Sequence, residues 1–202
     1  MNTKHALKRS LILAAAVLAA ASLSRAEETA APAANDGKVL LDRKGGEWVF
    51  TSEFPTNDPP AVGGHAWSEP GYAPAGWKKV TLPAGYDTKT TLQEVSPLPN
   101  TGGDYFFLGT FVAPDPLPAG EAWLRVNSDN GAIVYLNGKL VDNDPAAHAK
   151  PGHNPKYWNR DVAVPAGALK PGQNSLAVHV ANNEGSSDAF LALELRVKPA
   201  AP

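Results

Sequence analysis

The amino-acid sequence predicts an all-β fold, a two-sheet antiparallel sandwich of the jelly-roll kind, and three features lead to this prediction. Apolar and polar residues alternate over 175–181 and over 191–197, as they do in a strand with one buried face. The 18 glycines and 19 prolines interrupt the chain too often for long helical periodicity. Asn137-Gly138 lies between two β-prone runs, which is the strongest short signal for a hairpin. Many short strands joined by turns favour a sandwich.

The first 26 residues have the three parts of a secretory signal peptide. Residues 1–10 carry basic residues and no acid, residues 11–21 are wholly apolar, and Ser24-Arg25-Ala26 places small residues where a signal peptidase reads them. Cleavage is therefore predicted before Glu27, and the protein is expected in the periplasm or outside the cell. The apolar run is too short to cross a bilayer permanently, so no membrane insertion is expected after cleavage.

Length, cysteine content and charge limit the possible domain organisation and the possible classes of partner. Residues 27–37 form a small polar leader that is predicted to be flexible, and residues 38–199 are long enough for one sandwich domain. The absence of cysteine excludes a disulfide framework. Loss of residues 1–26 removes four of the 18 basic residues and none of the 20 acidic ones, so the net charge falls from −2 to −6. A chain of this charge with no basic stripe is not expected to bind nucleic acid.

The remaining strands are assigned from short runs of β-branched and aromatic residues between turn residues. In the first part of the chain, strands are predicted at 39–41, 47–51 and 79–82, the last of them just before a Pro-Ala-Gly turn. In the central part they are predicted at 105–112, 122–127, 132–136, 139–141 and 160–164. Within 122–127 the buried phase belongs to Leu124 and Val126, so Trp123 and Arg125 are expected on the opposite face.

The first Asn-Gly step, Asn130-Gly131, is open to two interpretations. It follows Ser128 and Asp129, so three polar side chains precede a glycine where backbone could approach a ligand or a cation closely. We expect this stretch to be chiefly a turn and expect no cofactor. One carboxylate from Asp129 and one amide from Asn130 fall short of the charge and oxygen count of a tight calcium site, so calcium near Asp129 is the weaker alternative.

Four motifs in order carry a resemblance to a known family: GDYFFLGTFVAP (103–114), AWLRVNSDNGAIVYLNGKLV (122–141), LKPGQNSLAVHVAN (169–182) and SSDAFLALEL (186–195). Their order and spacing resemble the galactose-binding-like jelly-roll modules of secreted bacterial proteins, over roughly residues 45–197. A similar jelly roll begins the β-galactosidase and β-glucuronidase type of glycosidase, where it precedes a catalytic barrel that is not seen in this sequence. The resemblance implies a galactose-binding-domain-like fold. Asn130 departs from the second Asp that is common in the family, and HAWSEPGYAPAG (65–76) has no interpretation from sequence.

Catalysis is not expected. Ser186, Ser187, Asp188 and His179 are the residue types of a hydrolase triad, but no Gly-x-Ser-x-Gly elbow exposes a nucleophile. The other histidines are scattered over predicted loops, which does not suggest a metal centre. An unrecognised secreted hydrolase is the weakest alternative.

A binding site has more support, because 142–161 is a long loop and long loops in compact domains are often functional. Tyr157 and Trp158 could stack on a sugar, while Arg160, Asn159 and His153 could hydrogen-bond hydroxyls or a carboxylate. Asp129 and Asn130 are expected at the same end of the sandwich. Trp158 is equally compatible with a place in the core.

The hypothesis is an exported, non-catalytic module that binds carbohydrate or a cell-envelope polymer. The alternative is a structural or protein-interaction module with no small ligand. A sugar site would have aromatics with polar groups at a concave end, whereas a partner surface would be a flat apolar patch.

Overall fold

The computed structural model of the protein describes residues 37–54, 57–87, 95–144, 158, 160–182 and 188–199. The chain forms twelve β-strands and no helix in these residues, which confirms the all-β prediction. The strands, numbered in chain order, are β1 (Lys38–Leu41), β2 (Glu47–Thr51), β3 (Lys78–Val80), β4 (Ala84–Asp87), β5 (Ser96–Pro97), β6 (Tyr105–Ala113), β7 (Glu121–Asp129), β8 (Gly131–Leu136), β9 (Lys139–Asp144), β10 (Arg160–Ala163), β11 (Gly172–Ala181) and β12 (Asp188–Lys198).

Several segments for which the sequence makes a prediction are not among the described residues. The signal peptide 1–26, the leader as far as residue 36, and most of the loop 142–161 lie outside the described residues. Nothing in the described part forms a helix of the length and apolarity that crossing a membrane requires.

The strands form two six-stranded sheets. The first sheet has the order β10-β7-β12-β4-β5, with β1 also paired to β12, and the second has the order β3-β2-β6-β11-β8-β9. From β5 onward the chain passes from one sheet to the other at almost every connection, and the β8–β9 hairpin is the exception. This is the two-sheet jelly-roll sandwich that the sequence predicts.

The β8–β9 hairpin confirms the turn that was predicted at Asn137-Gly138. Asn137 has a φ of 50° and Gly138 a φ of 79°, as both central residues of a type I′ turn require. The Asn137 side chain also ties the turn to the strand beside it: its Nδ2 donates to the Ala168 carbonyl at 2.8 Å, and its Oδ1 accepts from the Ser175 N–H at 2.9 Å. The turn is thus held by local geometry and by neighbouring structure together.

The core lies between the sheets and is built from the inward residues of both. Trp48 of β2 is 4% exposed and lies directly opposite Gly109 of β6. A methyl group on Gly109 would come within 2.5 Å of the Trp48 ring, so the glycine leaves room for the indole. The indole Nε1 donates to the Gly45 carbonyl at 2.9 Å, which satisfies its one polar atom.

The structure contains two strands that the sequence did not predict. β4 (Ala84–Asp87) and β5 (Ser96–Pro97) are short and lie beside prolines, so they have no run of β-prone residues to reveal them. β4 is a strand because β12 supplies its antiparallel partner, with Phe190 opposite Gly85. β7 also continues to Asp129, beyond the predicted end at 127.

The outer face of the second sheet is partly covered by residues 57–77, which we call the covering segment. Trp67 is buried at 5% exposed, and its ring meets the edges of Phe106 at 5.0 Å and Tyr135 at 5.8 Å between ring centres. Tyr72 and Trp77 pack against the same cluster. The stretch 65–76, which had no interpretation from sequence, is therefore the part of the chain that shields this face.

The outer face of the first sheet carries an ion-pair network. Trp123 and Arg125 lie on the face opposite the core, as the alternation in β7 predicts. Arg125 is nevertheless buried, because its guanidinium Nε lies 3.1 Å from Asp161 of β10 and NH1 lies 3.9 Å from Glu194 of β12. Lys198 Nζ lies 4.5 Å from the centre of the Trp123 ring. This face is covered by its own side chains rather than left bare.

Candidate functional site

Buried polar side chains concentrate at one end of the sandwich. Five side chains at most 8% exposed meet there: Ser128, Asp129, Asn130, Asp142 and Asn182. The register explains the gathering, because β7, β9 and β11 end where β6, β8, β10 and β12 begin. A cluster of buried polar groups costs free energy unless its members are hydrogen-bonded, so such an end is a candidate for function.

Arg160 links two strands of this end. It begins β10, and its Nε and NH2 lie 2.7 Å and 2.6 Å from Asp142 Oδ2 of β9. Its NH1 donates to Ser128 Oγ of β7 at 3.1 Å. Because β10 is an edge of the first sheet and β9 is an edge of the second, the Arg160–Asp142 pair closes this side of the sandwich. The guanidinium is therefore held in one orientation.

The Asp129-Asn130 step is a crossing between the two sheets, and Ser128 and Asp129 belong to the end of β7 and not to the turn that the sequence predicts. Asp129 ends β7 in the first sheet, and Gly131 begins β8 in the second. The peptide bond between Asp129 and Asn130 is cis, and the Asn130 N–H donates to the Ala181 carbonyl at 3.1 Å. Asn130 Nδ2 donates to Asp129 Oδ1 at 3.0 Å, so at least one carboxylate oxygen has a protein partner. The described part of the chain holds no group of three or more His, Cys, Asp or Glu side chains that could bind a metal ion.

A second polar group at this end was not found from sequence. His179 Nε2 lies 2.7 Å from Asp104 Oδ2, and Asp104 Oδ1 accepts from the Asn182 N–H at 2.8 Å. The His179 ring stacks on Phe106 at 4.4 Å. Sequence reasoning grouped His179 with Ser186, Ser187 and Asp188, whereas the hydrogen bond of its ring goes to a residue 75 positions earlier. Only the pairing of β6 with β11 brings these two residues together.

Asn182 connects this group to the first sheet. Its Nδ2 donates to Tyr86 Oη at 3.1 Å and to the Gly103 carbonyl at 3.2 Å. Its Oδ1 is buried and has no hydrogen-bond donor among the described residues. Nearby, burial raises the pKa of Tyr105, whose hydroxyl donates to the Pro99 carbonyl at 2.6 Å.

Only some of the predicted site residues are among the described residues. Asp129, Asn130 and Arg160 lie at the same end, and Ser128 joins the first two to Arg160. Trp158 is partly buried and belongs to neither hydrophobic cluster of the described residues. Tyr157, Asn159 and His153 lie outside the described residues. The ligand role of all seven stays a prediction.

Comparison with known proteins gives a likeness of fold. The sequence matches no protein-family model and no curated protein. Among solved structures, a β-glucuronidase from an uncultured Clostridium species is similar, with 18% identity, a TM-score of 0.52, and coverage of 83% of this chain and 30% of that one. Bacteroides uniformis β-glucuronidase 2 gives 16% identity, a TM-score of 0.52, and coverage of 80% and 18%. A β-glycosidase from Bacteroides vulgatus gives 16% identity, a TM-score of 0.50, and coverage of 80% of this chain and 20% of that one.

These matches agree with the resemblance to glycosidases of the β-glucuronidase type that the sequence motifs indicate. The resemblance of fold is confirmed. At such low identity the likeness concerns the fold alone, and the chain spans less than a third of the length of these enzymes. The activities in their names are therefore not transferred by the match.

Proposed function

We propose that the protein is an exported, non-catalytic module that binds carbohydrate or a cell-envelope polymer at the end of the sandwich defined by Ser128 and Arg160. The observation that carries the proposal is the fixed guanidinium of Arg160, which two strands hold beside the Ser128–Asn130 crossing. Sugars present hydroxyls to such fixed polar groups and an apolar face to aromatic rings. Trp158, two residues from Arg160 and outside both hydrophobic clusters, supplies the ring.

The surface of the described residues supports a sugar ligand more than a protein partner. The large apolar side chains that are exposed are all aliphatic and lie on four different segments: Val39, Val62, Val112 and Leu140. Protein interfaces are enriched in aromatic side chains at their centre, and this set contains none. A protein-interaction module is therefore the second of the two proposed functions.

The Trp158→Ala variant tests the proposal. Loss of the ring is expected to weaken binding of a glycan, chosen from an array screen of the mature protein, by at least about tenfold, which is about 1.4 kcal/mol. The melting temperature should stay close to that of the wild type. Trp123→Ala removes a partly buried tryptophan from a different face and should leave glycan affinity unchanged. A Trp158→Ala protein that loses about 3–5 kcal/mol of stability would place this ring in a packed core instead.

Export is tested by the mature N-terminus. We propose that the exported protein begins at Glu27, because the basic start, the apolar run and the Ser-x-Ala pattern agree on that cleavage position. N-terminal sequencing of protein recovered from outside the cytoplasm measures it. Exported material that retains Met1 would contradict the assignment.

A further inference from the structure

An open groove of about 780 Å³ lies on the second sheet, remote in sequence from Arg160 and Trp158. Most of its lining comes from β2, β3 and β6, part comes from Tyr72 and Pro74 of the covering segment, and at one side it reaches Ser96 and Pro97 of β5 in the first sheet. The volume falls within the range of about 300–1,000 Å³ that is usual for small-ligand sites. We call it the sheet groove.

The register places the floor of the sheet groove on the outer face. Val49 lies opposite Lys79 on β3 and opposite Leu108 on β6, so these three side chains form one row across three strands. Glu47 lies opposite Thr110 in the same way. Cross-strand partners project to the same face of a sheet, and Leu108 belongs to the outer cluster. The floor is thus an apolar strip with charged and hydroxyl groups beside it.

The wall of the sheet groove is a fixed aromatic ring. Tyr72 Oη donates to the Pro60 carbonyl at 3.2 Å, and its ring lies 6.0 Å from that of Trp77 at an angle of 62°. Trp67, packed on Phe106 and Tyr135, anchors the covering segment to the sheet. A ring that is held before binding loses little conformational freedom when a ligand stacks on it.

The chemistry of the lining selects the class of ligand. Glu47 and Lys79 are the charged residues of the lining and cancel each other, while Thr81, Ser96 and Thr110 offer hydroxyl groups. The apolar strip of Val49 and Leu108 lies between these polar groups, and the less polar face of a sugar ring can rest on such a surface. We infer that the sheet groove binds a neutral carbohydrate chain, with one sugar ring stacked on Tyr72. The inference rests on the proposed carbohydrate-binding function and adds a second site to it.

The test measures binding of neutral oligosaccharides from β-glucan, mannan and galactan by titration calorimetry, with a polyuronate oligosaccharide as the charged contrast. Tyr72→Ala is expected to weaken binding of the neutral oligosaccharide by at least about tenfold. Tyr72→Phe keeps the ring and should retain most of the affinity. Thr110→Val keeps the shape of an outward side chain of β6, removes its hydroxyl, and should weaken binding severalfold without a change in folding.

The outcomes separate this inference from the proposed function. If Tyr72→Ala and Thr110→Val bind like the wild type while Trp158→Ala does not, the sheet groove is not a site and the proposed function stands. If no neutral oligosaccharide binds the wild type, or if the polyuronate binds in the sheet groove more tightly than they do, the inference is overturned. Retained affinity in Trp158→Ala together with loss in Tyr72→Ala supports it.

Discussion

Truncation of Trp48 to alanine is expected to lower the free energy of unfolding by about 3–5 kcal/mol. The indole is 4% exposed, fills the space opposite Gly109, and makes a hydrogen bond to the Gly45 carbonyl. Its removal leaves a cavity between two sheets whose backbones are held apart by the other core side chains. Urea unfolding followed by circular dichroism measures the change.

A substitution of Gly109 tests the same Trp48–Gly109 contact by adding volume instead of removing it. Gly109→Ala places a methyl group 2.5 Å from the ring of Trp48, so overpacking should cost about 1–3 kcal/mol. In the double variant Trp48→Ala with Gly109→Ala the clash is relieved, and the combined loss should be smaller than the sum of the two single losses. Val112→Thr is the control, because Val112 is 75% exposed on the same strand. Strictly additive losses would show that the two residues do not share a packing site.

Replacement of Arg160 by alanine is expected to cost about 3–5 kcal/mol, because it leaves the Asp142 carboxylate buried without its partner. The two side chains are 15% and 9% exposed, so water can do little to compensate for the lost charge. Replacing both residues, as Arg160→Met with Asp142→Leu, should recover much of the stability, since no unpaired charge remains. Denaturant unfolding of the wild type and of these two variants measures the differences.

An exposed ion pair provides the comparison. Lys198 and Asp161 lie 3.4 Å apart, with both side chains 31% exposed, and Lys198→Ala should cost less than about 1 kcal/mol. Should Arg160→Ala prove as mild as Lys198→Ala, the Arg160–Asp142 pair would not be what closes this side of the sandwich. Its place in the candidate site would then need another explanation.

Local pattern predicted most of the strands, because alternation and turn chemistry act over a few residues. The alternation over 191–197 predicts a strand with one buried face; the strand is confirmed, but Ala192 and Glu194 on its other face are buried as well, because β12 lies inside its sheet under the ion-pair network. The Asn137-Gly138 turn follows from backbone angles that these two residue types tolerate. β4 and β5 escaped prediction because they are strands only where another strand offers hydrogen bonds to them. Their existence depends on the assembled sheet.

Some residues of the candidate site were also predictable from local sequence, and others were not. Asp129, Asn130 and Arg160 were predicted to share an end, since turn signals and a long loop mark the ends of strands in any sequence. The pairing of His179 with Asp104 could not be predicted, because the register of β6 against β11 joins residues 75 positions apart. Trp67 and Tyr72 had no interpretation because the covering segment has neither strand nor helix periodicity, and its position depends on an aromatic surface that exists only after the second sheet forms. The sequence by itself determined most of the strands and the end where their polar residues lie, because those signals are local. The tertiary structure alone decided which distant side chains meet, because strand register and the packing on the outer faces are properties of the whole sandwich.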